Sequence, residues 1–295
     1  MLLSGTGAGM MLVNAYHEGN GTRSKLMDRD LENACAKTNR TGLMAGVFGD
    51  SGYPLFIAGP CAVENYEMLD QITGYLISKN IHTIRAGAFK PRTSPEDFQG
   101  LGVEGLAIID KIRRKYKVKV VSEIVDAKYL DLMLKTCDIL QVGARNMQNY
   151  ELLKALGRTD VPIILKRGYC ATIKEFIHAS GYIARGGNHK ILMCERGIRS
   201  FDSSTRNLLD LSCVALLKEQ FDYPIIVDLS HSLGRKDIAL PMARAALAAG
   251  ADALMVEVHN KPETALSDAG QQMSFPEFDR MLDGLSRESV YLRRQ

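Results

Sequence analysis

Short runs of apolar residues recur along the chain, and stretches of helical periodicity fill the gaps between them. Beginning with Leu55–Cys61, eight runs share one design: they are apolar and β-branched, and they end in polar or charged residues. The other seven are Thr83–Phe89, Val118–Ile124, Asp138–Ala144, Pro162–Gly168, Lys190–Gly197, Pro224–Ser230 and Ala253–His259. Because strands covered by helices are apolar throughout, this pattern predicts an α/β fold, a (β/α)8 TIM barrel of parallel strands.

Amphipathic periodicity predicts helices between the strands. They are expected at Glu64–Lys79, Val103–Tyr116, Ala127–Lys135, Tyr150–Leu156, Thr172–Ala184, Thr205–Gln220, Asp237–Ala249 and Phe275–Leu285. Residues 1–52 are Gly-rich and then polar, and only Ser24–Lys37 has a helical pattern there. We therefore interpret 1–52 as an N-terminal extension, poorly structured or oligomer-forming, and 53–295 as the catalytic barrel.

Composition narrows the class of protein. The chain has 295 residues, of which 46% are hydrophobic and 24% charged, and no apolar run approaches the roughly 20 residues of a membrane span. A net charge of +3, from 37 basic and 34 acidic residues, gives no field that would attract nucleic acid or a membrane surface. Six cysteines without a CxxC pair favour reduced thiols and a cytoplasmic protein.

Cations follow most of the predicted strands. In a (β/α)8 barrel the carboxyl ends of the strands meet at one mouth, so these side chains should converge. They are Arg85, Lys90, Arg92, Arg145, Lys166 and Arg196. Such a cluster repels itself unless an anion lies within it, so we expect a ligand with several negative charges.

A second group at the same mouth combines a thiol, an imidazole and two carboxylates. Its members are Cys61, His231, Glu257 and Asp268. Mixed soft and hard ligands suit a divalent transition metal better than magnesium or calcium. Spacing leaves open whether Asp228 or His259 replaces one ligand or supports another by hydrogen bonding.

Nine motifs in one order resemble type I 3-deoxy-D-arabino-heptulosonate 7-phosphate (DAHP) synthase, in its smaller (beta) branch. They span about residues 55 to 285. The motifs are Gly59-Pro-Cys-Ala-Val-Glu64, Arg85-Ala-Gly-Ala-Phe-Lys-Pro-Arg-Thr-Ser-Pro95, Phe98-Gln-Gly-Leu-Gly102, Gln141-Val-Gly-Ala-Arg-Asn-Met147, Leu165-Lys-Arg-Gly168, Cys194-Glu-Arg-Gly-Ile-Arg199, Asp228-Leu-Ser-His231, Glu257-Val-His259 and Ala265-Leu-Ser-Asp268.

The resemblance implies a reaction and a division of the site. Phosphoenolpyruvate, erythrose 4-phosphate and water would give DAHP and phosphate, the first step of the shikimate pathway. Cys61, His231, Glu257 and Asp268 would hold Mn²⁺, Co²⁺, Zn²⁺ or Fe²⁺. Phosphoenolpyruvate would bind Arg85, Lys90, Arg145 with its neighbour Ala144, Lys166 and Arg196, and erythrose 4-phosphate would bind Lys90, Pro91, Arg92 and Thr93.

The resemblance also implies catalytic roles and an assembly. Lys90 would donate a proton to the aldehyde oxygen, and the family's assembly implies a homodimer or homotetramer. From the residues alone, Glu123 either orients the reacting water or pairs with an arginine. Cys61 is expected to be an exposed thiolate.

Two departures and two alternatives qualify the resemblance. Leu229 stands where the family commonly has proline, and residues 1–52 contain no recognisable regulatory domain. One alternative is 3-deoxy-D-manno-octulosonate 8-phosphate synthase, which usually has an Asn-Arg-Ser element where this chain has Pro91-Arg-Thr93. The other is a catalytically silent barrel that serves as a regulatory partner.

Overall fold

Eight parallel strands close into a barrel in chain order in the computed structural model, which describes residues 39–49 and 54–292. Each strand pairs with the next, and the last closes on the first. The strands are β1 (Leu55–Gly59), β2 (Thr83–Arg85), β3 (Lys119–Ile124), β4 (Ile139–Val142), β5 (Ile163–Lys166), β6 (Ile191–Glu195), β7 (Ile225–Asp228) and β8 (Ala253–Glu257). The predicted (β/α)8 barrel is confirmed, and every strand lies within its predicted run.

Helices surround this barrel. They are α1 (Arg40–Phe48), α2 (Tyr66–Ser78), α3 (Val103–Tyr116), α4 (Leu130–Thr136), α5 (Tyr150–Gly157), α6 (Ile173–Arg185), α7 (Leu211–Gln220), α8 (Leu229–Leu233), α9 (Ala239–Ala248) and α10 (Phe275–Leu292). Short 3-10 turns lie at Ala127–Tyr129, Ala144–Asn146 and Pro262–Thr264. None of these described helices has both the length and the hydropathy of a membrane span.

The helix predicted at Thr205–Gln220 begins only at Leu211. Asp210 caps it by accepting from the backbone N–H of Cys213, which satisfies one of the free amides of the first turn. The preceding residues instead form an antiparallel bridge between Ile198 and Leu208. That bridge keeps the loop after β6 folded close to the barrel mouth.

Helix α1 was missed by the sequence analysis, and it closes the lower end of the barrel. Leu43, Val47 and Phe48 are buried against side chains that fill the barrel interior. The carbonyl of Val47 accepts a hydrogen bond of 2.7 Å from the hydroxyl of Thr83 at the start of β2. The predicted helix Ser24–Lys37 lies outside the described residues, and the division of the chain at residue 53 stays a prediction.

Two apolar layers hold the barrel. The larger cluster lies between the strands and the outer helices, and the smaller one fills the barrel interior above α1. Because both faces of every strand are covered, the upper ends of the strands are where the polar and charged residues collect.

Candidate active site

A polar cavity of about 170 Å³ opens at the carboxyl ends of the strands. Its walls are formed by Lys90, Pro91, Arg92, Thr93, Asp97, Glu123, Gln141, Gly143, Ala144, Arg145, Lys166, Tyr169, Arg196, Arg206, His231 and Asp268. Of the residues that the sequence analysis assigned to the site, Arg85, Cys61 and Glu257 are not in this wall and are buried. All the predicted site residues thus lie at one mouth of the barrel: most line the cavity, and these three lie buried beneath it.

The four candidate metal ligands converge. One donor atom from each of Cys61, His231, Glu257 and Asp268 lies within 4.8 Å of the other three. The Nε2 atom of His231 is 3.3 Å from Glu257 Oε1 and 3.8 Å from Asp268 Oδ2. The Cys61 thiol donates to Asp268 Oδ2 at 3.2 Å. These contacts bring together a soft and hard donor set suited to a divalent transition metal.

Two of the donor residues, His231 and Glu257, are prepared to bind an ion. Asp228 Oδ2 lies 2.9 Å from Nδ1 of His231, which directs Nε2 towards the cluster. Burial lowers the pKa of His231 to about 4, so the imidazole is neutral and can act as a ligand. Oε1 of Glu257 is buried and accepts no well-aligned hydrogen bond from the described residues, although Arg85 Nη2 lies 2.9 Å away.

Cys61 differs from the expectation of an exposed thiolate. Its side chain is fully buried, and burial, reinforced by the charge of Glu257, raises the pKa of the thiol to about 12. That expectation is wrong, because the end of β1 lies beneath the cavity rather than in its wall. A metal ion would displace this proton on binding, since the thiolate is the ligand form.

Asp268 reaches the cluster by an unusual backbone. It has φ of 49°, in the left-handed region that few residues other than glycine adopt. Its carboxylate lies 3.5 Å from Arg206 Nη1. Such a strained residue at a site is typical of functional positions whose surroundings fix the geometry.

Two glutamines that the sequence analysis missed support the ligands. Gln271 donates to Glu257 Oε2 at 2.6 Å and accepts from Arg206 at 2.7 Å. Gln272 accepts from the backbone N–H of Cys61 at 3.0 Å. Both follow Asp268 closely, and nothing in the residue pattern distinguishes them from ordinary loop glutamines.

The two residues left open as ligands have other partners. Asp228 joins His231 to Lys166 by an ion pair. Nδ1 of His259 accepts from the backbone N–H of Lys261 at 3.0 Å, and its Nε2 faces Glu64 at 3.7 Å. Neither contributes to the cluster of candidate ligands, so the geometry favours a supporting role for each.

Carboxylates already pair with half of the six predicted cations. Arg85 contacts Glu257, Lys166 contacts Asp228, and the Nε of Arg92 donates to Asp97 at 3.3 Å. The remaining three, Lys90, Arg145 and Arg196, have no carboxylate within ion-pair distance among the described residues. The cation cluster is therefore only partly neutralised by the protein itself.

Lys90 stays charged at this depth. Burial opposes its charge, but the nearby Cys61, Glu123 and Glu257 outweigh burial and raise the pKa of the amine. Its Nζ donates to the carbonyl of Cys61 at 3.4 Å. The ammonium thus lies directly beside the candidate metal ligands.

The loop after β2 is folded onto the barrel by its glycines. Lys90 N–H donates to the carbonyl of Gln99 at 2.8 Å, and Gly102 N–H donates to the carbonyl of Ala88 at 2.9 Å. Gly100 has φ of +88°, and a Cβ there would lie 2.3 Å from the Ala88 carbonyl oxygen. This close approach requires glycine, and it holds Lys90 to Thr93 over the mouth.

Glu123 lies in the wall without an arginine partner. A Cβ on Gly143 would lie 2.0 Å from Glu123 Oε1, so the carboxylate occupies the space that only glycine leaves. No described cation lies within ion-pair distance of Glu123. Of the two roles expected for Glu123, this placement favours orienting the reacting water over pairing with an arginine.

Other charged residues near the strand ends serve the structure instead. Arg167 pairs with Glu195 at 2.9 Å and with Asp210 at 2.8 Å, and it does not line the cavity. Glu195 also accepts from the backbone N–H of Gly197 at 2.6 Å. These pairs fix the loops after β5 and β6.

The chain matches the model of the DAHP synthetase I family over residues 35–292. It is 45% identical over 237 residues to phospho-2-dehydro-3-deoxyheptonate aldolase of Thermotoga maritima, which covers 80% of this chain and 70% of that protein. It is 28% identical over 249 residues to 2-dehydro-3-deoxyphosphooctonate aldolase of Desulfatibacillum aliphaticivorans, covering 78% of this chain and 90% of that protein.

Solved structures agree with these relatives. The DAHP synthase crystal structure from Thermotoga maritima has a TM-score of 0.79 at 44% identity, covering 83% of this chain and 73% of that one. A truncated form of 3-deoxy-D-arabino-heptulosonate 7-phosphate synthase from the same organism has a TM-score of 0.76 at 41% identity, covering 83% and 91%. The resemblance found in the motifs therefore extends to sequence and fold.

Proposed function

The chain belongs to the DAHP synthetase I family, and we propose that it performs the family's reaction with a divalent metal ion held by Cys61, His231, Glu257 and Asp268. The reaction condenses phosphoenolpyruvate with erythrose 4-phosphate and water to give DAHP and phosphate. It is the first step of the shikimate pathway to the aromatic amino acids.

One observation carries the proposal: the metal cluster and the cations share carboxylates. Arg85 contacts the ligand Glu257, and Lys166 reaches His231 through Asp228. The candidate metal site and the site for anions are therefore directly connected. A reaction between an aldehyde and a phosphorylated enol requires that the two reactants are held next to each other, which adjacent sites achieve.

The donor set suits Mn²⁺, Co²⁺, Zn²⁺ or Fe²⁺, because a thiolate and an imidazole accompany two carboxylates. When bound, such an ion supplies Lewis acidity towards the aldehyde oxygen of erythrose 4-phosphate. The protein's part is to keep His231 neutral through burial and oriented through Asp228. Gln271 holds the carboxylate of Glu257 in place, and Gln272 holds the backbone of Cys61.

Phosphoenolpyruvate is assigned to the cations at the ends of β2, β4, β5 and β6. Arg145 and Arg196 offer guanidinium groups without carboxylate partners, and Ala144 lies beside Arg145 in the same wall. Lys166 is buried, with 3% of its surface exposed, and contacts the carboxylate of Asp228. Arg85 has a buried Nη1 without a hydrogen-bond partner among the described residues, which leaves a donor for a ligand.

Erythrose 4-phosphate is assigned to the loop after β2. Lys90, Pro91, Arg92 and Thr93 line one wall of the cavity. The Arg92 guanidinium contacts Asp97 by its Nε, which leaves its other nitrogens for phosphate. A guanidinium makes paired hydrogen bonds to phosphate that an ammonium cannot copy.

Proton movements are assigned to two residues. The enol carbon of phosphoenolpyruvate bonds to the aldehyde carbon, and protonated Lys90 delivers a proton to the aldehyde oxygen. Glu123 orients a water molecule and accepts its proton as the water adds to the carbon that bears the phosphate. The bond between that carbon and the phosphate oxygen then breaks, the new hydroxyl group passes its proton to the departing phosphate as the ketone forms, and the charges of Arg145 and Arg196 stabilise the phosphate.

The eight-carbon alternative is weaker, because the relatives named 2-dehydro-3-deoxyphosphooctonate aldolase are more distant than the one named phospho-2-dehydro-3-deoxyheptonate aldolase. The decisive assay supplies phosphoenolpyruvate with erythrose 4-phosphate or with arabinose 5-phosphate and identifies the sugar acid by mass. We expect phosphate release and the seven-carbon product only. Faster formation of the eight-carbon product, or no turnover of either aldehyde with each metal supplied, would overturn the proposal.

A homodimer or homotetramer in the cytoplasm is proposed from the family's usual assembly. Light scattering at micromolar concentration should give a mass of two or four times the 32.6 kDa chain. A monomer at that concentration would contradict it, without bearing on the reaction.

A further inference from the structure

Three arginines surround the ring of Tyr169, in the loop after β5. The guanidinium carbons lie 4.6 Å from the ring centroid for Arg196, 5.4 Å for Arg199 and 5.5 Å for Arg145. Arg145 comes from the turn after β4, and the other two come from the loop after β6. One aromatic ring thus joins cations from two other segments of the barrel mouth.

The ring contacts arginines that lack carboxylate partners. Among the described residues, no carboxylate lies within ion-pair distance of any of the three guanidinium groups. Arg196 is 2% exposed, and within the described part of the chain it donates to two carbonyls, that of His231 at 3.0 Å and that of Gly197 at 3.4 Å. The negative face of an aromatic ring stabilises a nearby cation, and most strongly where water is excluded.

The position of Tyr169 is fixed by its own backbone. Its carbonyl accepts from the backbone N–H of Arg199 at 2.7 Å, which ties the loops after β5 and β6 together. Tyr169, Arg145 and Arg196 line the same cavity. The ring therefore lies where it can set the spacing of these guanidinium groups before a ligand arrives.

We infer that Tyr169 is a positioning residue that holds Arg145, Arg196 and Arg199 as a preformed receptor for the phosphate of phosphoenolpyruvate. The inference rests on the proposed function for the identity of this anion. It adds Arg199 to the cations of that pocket, and it gives the aromatic face, rather than the hydroxyl group, the task of orienting them. Pre-organised donors bind an anion more tightly because fewer side chains lose freedom on binding.

Substitutions that keep or remove the aromatic face test the inference. Binding of phosphoenolpyruvate and of inorganic phosphate is measured by calorimetry on the metal-loaded protein without an aldehyde, so no turnover is needed. Tyr169→Phe should stay within about twofold of the parent, whereas Tyr169→Leu should weaken both ligands by about tenfold, or about 1.4 kcal/mol. Phenylalanines with one, two and three fluorine atoms at position 169 should fall progressively between them, because fluorine withdraws charge from the ring face.

A matched control is Tyr182→Leu. Tyr182 lies on α6 outside the cavity, is 37% exposed and stacks on Tyr150 at 4.4 Å, and its loss should leave both dissociation constants unchanged. The Michaelis constant for erythrose 4-phosphate should also stay constant in every Tyr169 variant. Protein that forms no DAHP but shows the graded loss of phosphate affinity would refute the proposed function and leave this inference standing.

Three outcomes would overturn the inference. Tyr169→Leu could bind both anions as well as the parent does, or Tyr169→Phe could be as weak as the leucine variant, which would assign the effect to the hydroxyl. The fluorinated series could also be flat while leucine is weak, which would indicate packing alone.

Discussion

At the lower end of the barrel, Leu43, Val47 and Phe48 of α1 pack on the apolar interior, whereas the upper end buries a thiol, two carboxylates and several cations at similar depth. The polar contact between α1 and the strands there, from the Thr83 hydroxyl to the Val47 carbonyl, is made at 2.7 Å. At the upper end, Arg85 Nη1 is buried without a hydrogen-bond partner among the described residues, and Glu257 Oε1 has the charge of Arg85 nearby but no well-aligned hydrogen bond from them. A buried polar group without a partner destabilises the fold.

The difference between the two ends separates stability from chemistry. Apolar burial at the lower end stabilises the barrel and offers no reactive group. The upper end keeps buried polar groups without full hydrogen bonding, and a metal ion and anionic substrates can supply the missing contacts. This division agrees with the rule that residues at the carboxyl ends of barrel strands are catalytic and those at the opposite face stabilise.

Removing a candidate metal ligand should have the largest effect. Cys61→Ala should lower kcat by roughly a thousandfold, because Lewis acidity contributes several kcal/mol and each 1.4 kcal/mol is tenfold. Chelation of the parent should do the same, and Mn²⁺, Co²⁺, Zn²⁺ or Fe²⁺ should restore it. Elemental analysis of the purified protein measures the accompanying loss of bound metal.

Its control is Cys137→Ala, which removes a thiol that is also buried but lies in the outer apolar layer. That variant should lose stability and keep its metal and kcat. Full activity of the parent after exhaustive chelation would contradict the metal assignment.

A substitution at the lower end should lower stability without changing the kinetic constants. Phe48→Ala removes a ring that is 2% exposed and should lower the free energy of unfolding by about 3 to 5 kcal/mol. Urea denaturation measures the loss. Both Michaelis constants should stay within error of the parent, and a change in either one would mean that the two ends are coupled.

Within the upper end, Arg92→Lys should separate the two substrates. A charged hydrogen bond is worth about 1.5 to 3 kcal/mol, so the Michaelis constant for erythrose 4-phosphate should rise roughly ten- to a hundredfold. The constant for phosphoenolpyruvate should barely move, and Arg145→Lys should show the opposite selectivity. Steady-state kinetics with each substrate varied in turn gives both constants. If Arg92→Lys raised both constants equally, the division into two substrate pockets would be wrong.

The smallest expected effect is a dependence of metal affinity on pH. The pKa of the Cys61 thiol is raised to about 12, so near neutral pH each ion must displace one proton from it. Since His231 has a pKa of about 4 and is already neutral, affinity should rise by about tenfold for each pH unit. Calorimetry in buffers of different ionisation enthalpy counts the proton; affinity independent of pH would mean that the thiol is not a ligand.

The strands and the convergence of the ligands were predictable, because fully buried strands are continuous apolar runs and barrel topology brings their ends together. Helix α1 was not, since Gly42 and Gly46 weaken its periodicity and its partner is the barrel floor, which is distant in sequence. Tyr169 was missed because a tyrosine after a strand has no local signal of its contacts. The fit of Glu123 against Gly143 likewise depends on two neighbouring strands in register.

We propose that the upper end holds one metal ion through Cys61, whose thiol stays protonated until the ion binds. Titration of metal-free protein with Co²⁺, followed by the sulfur-to-cobalt charge-transfer band in the near ultraviolet, tests it most directly. We expect a band that saturates at one equivalent, persists in Cys137→Ser and is absent from Cys61→Ser. A band retained in Cys61→Ser, or no band in the parent at saturating Co²⁺, would contradict it.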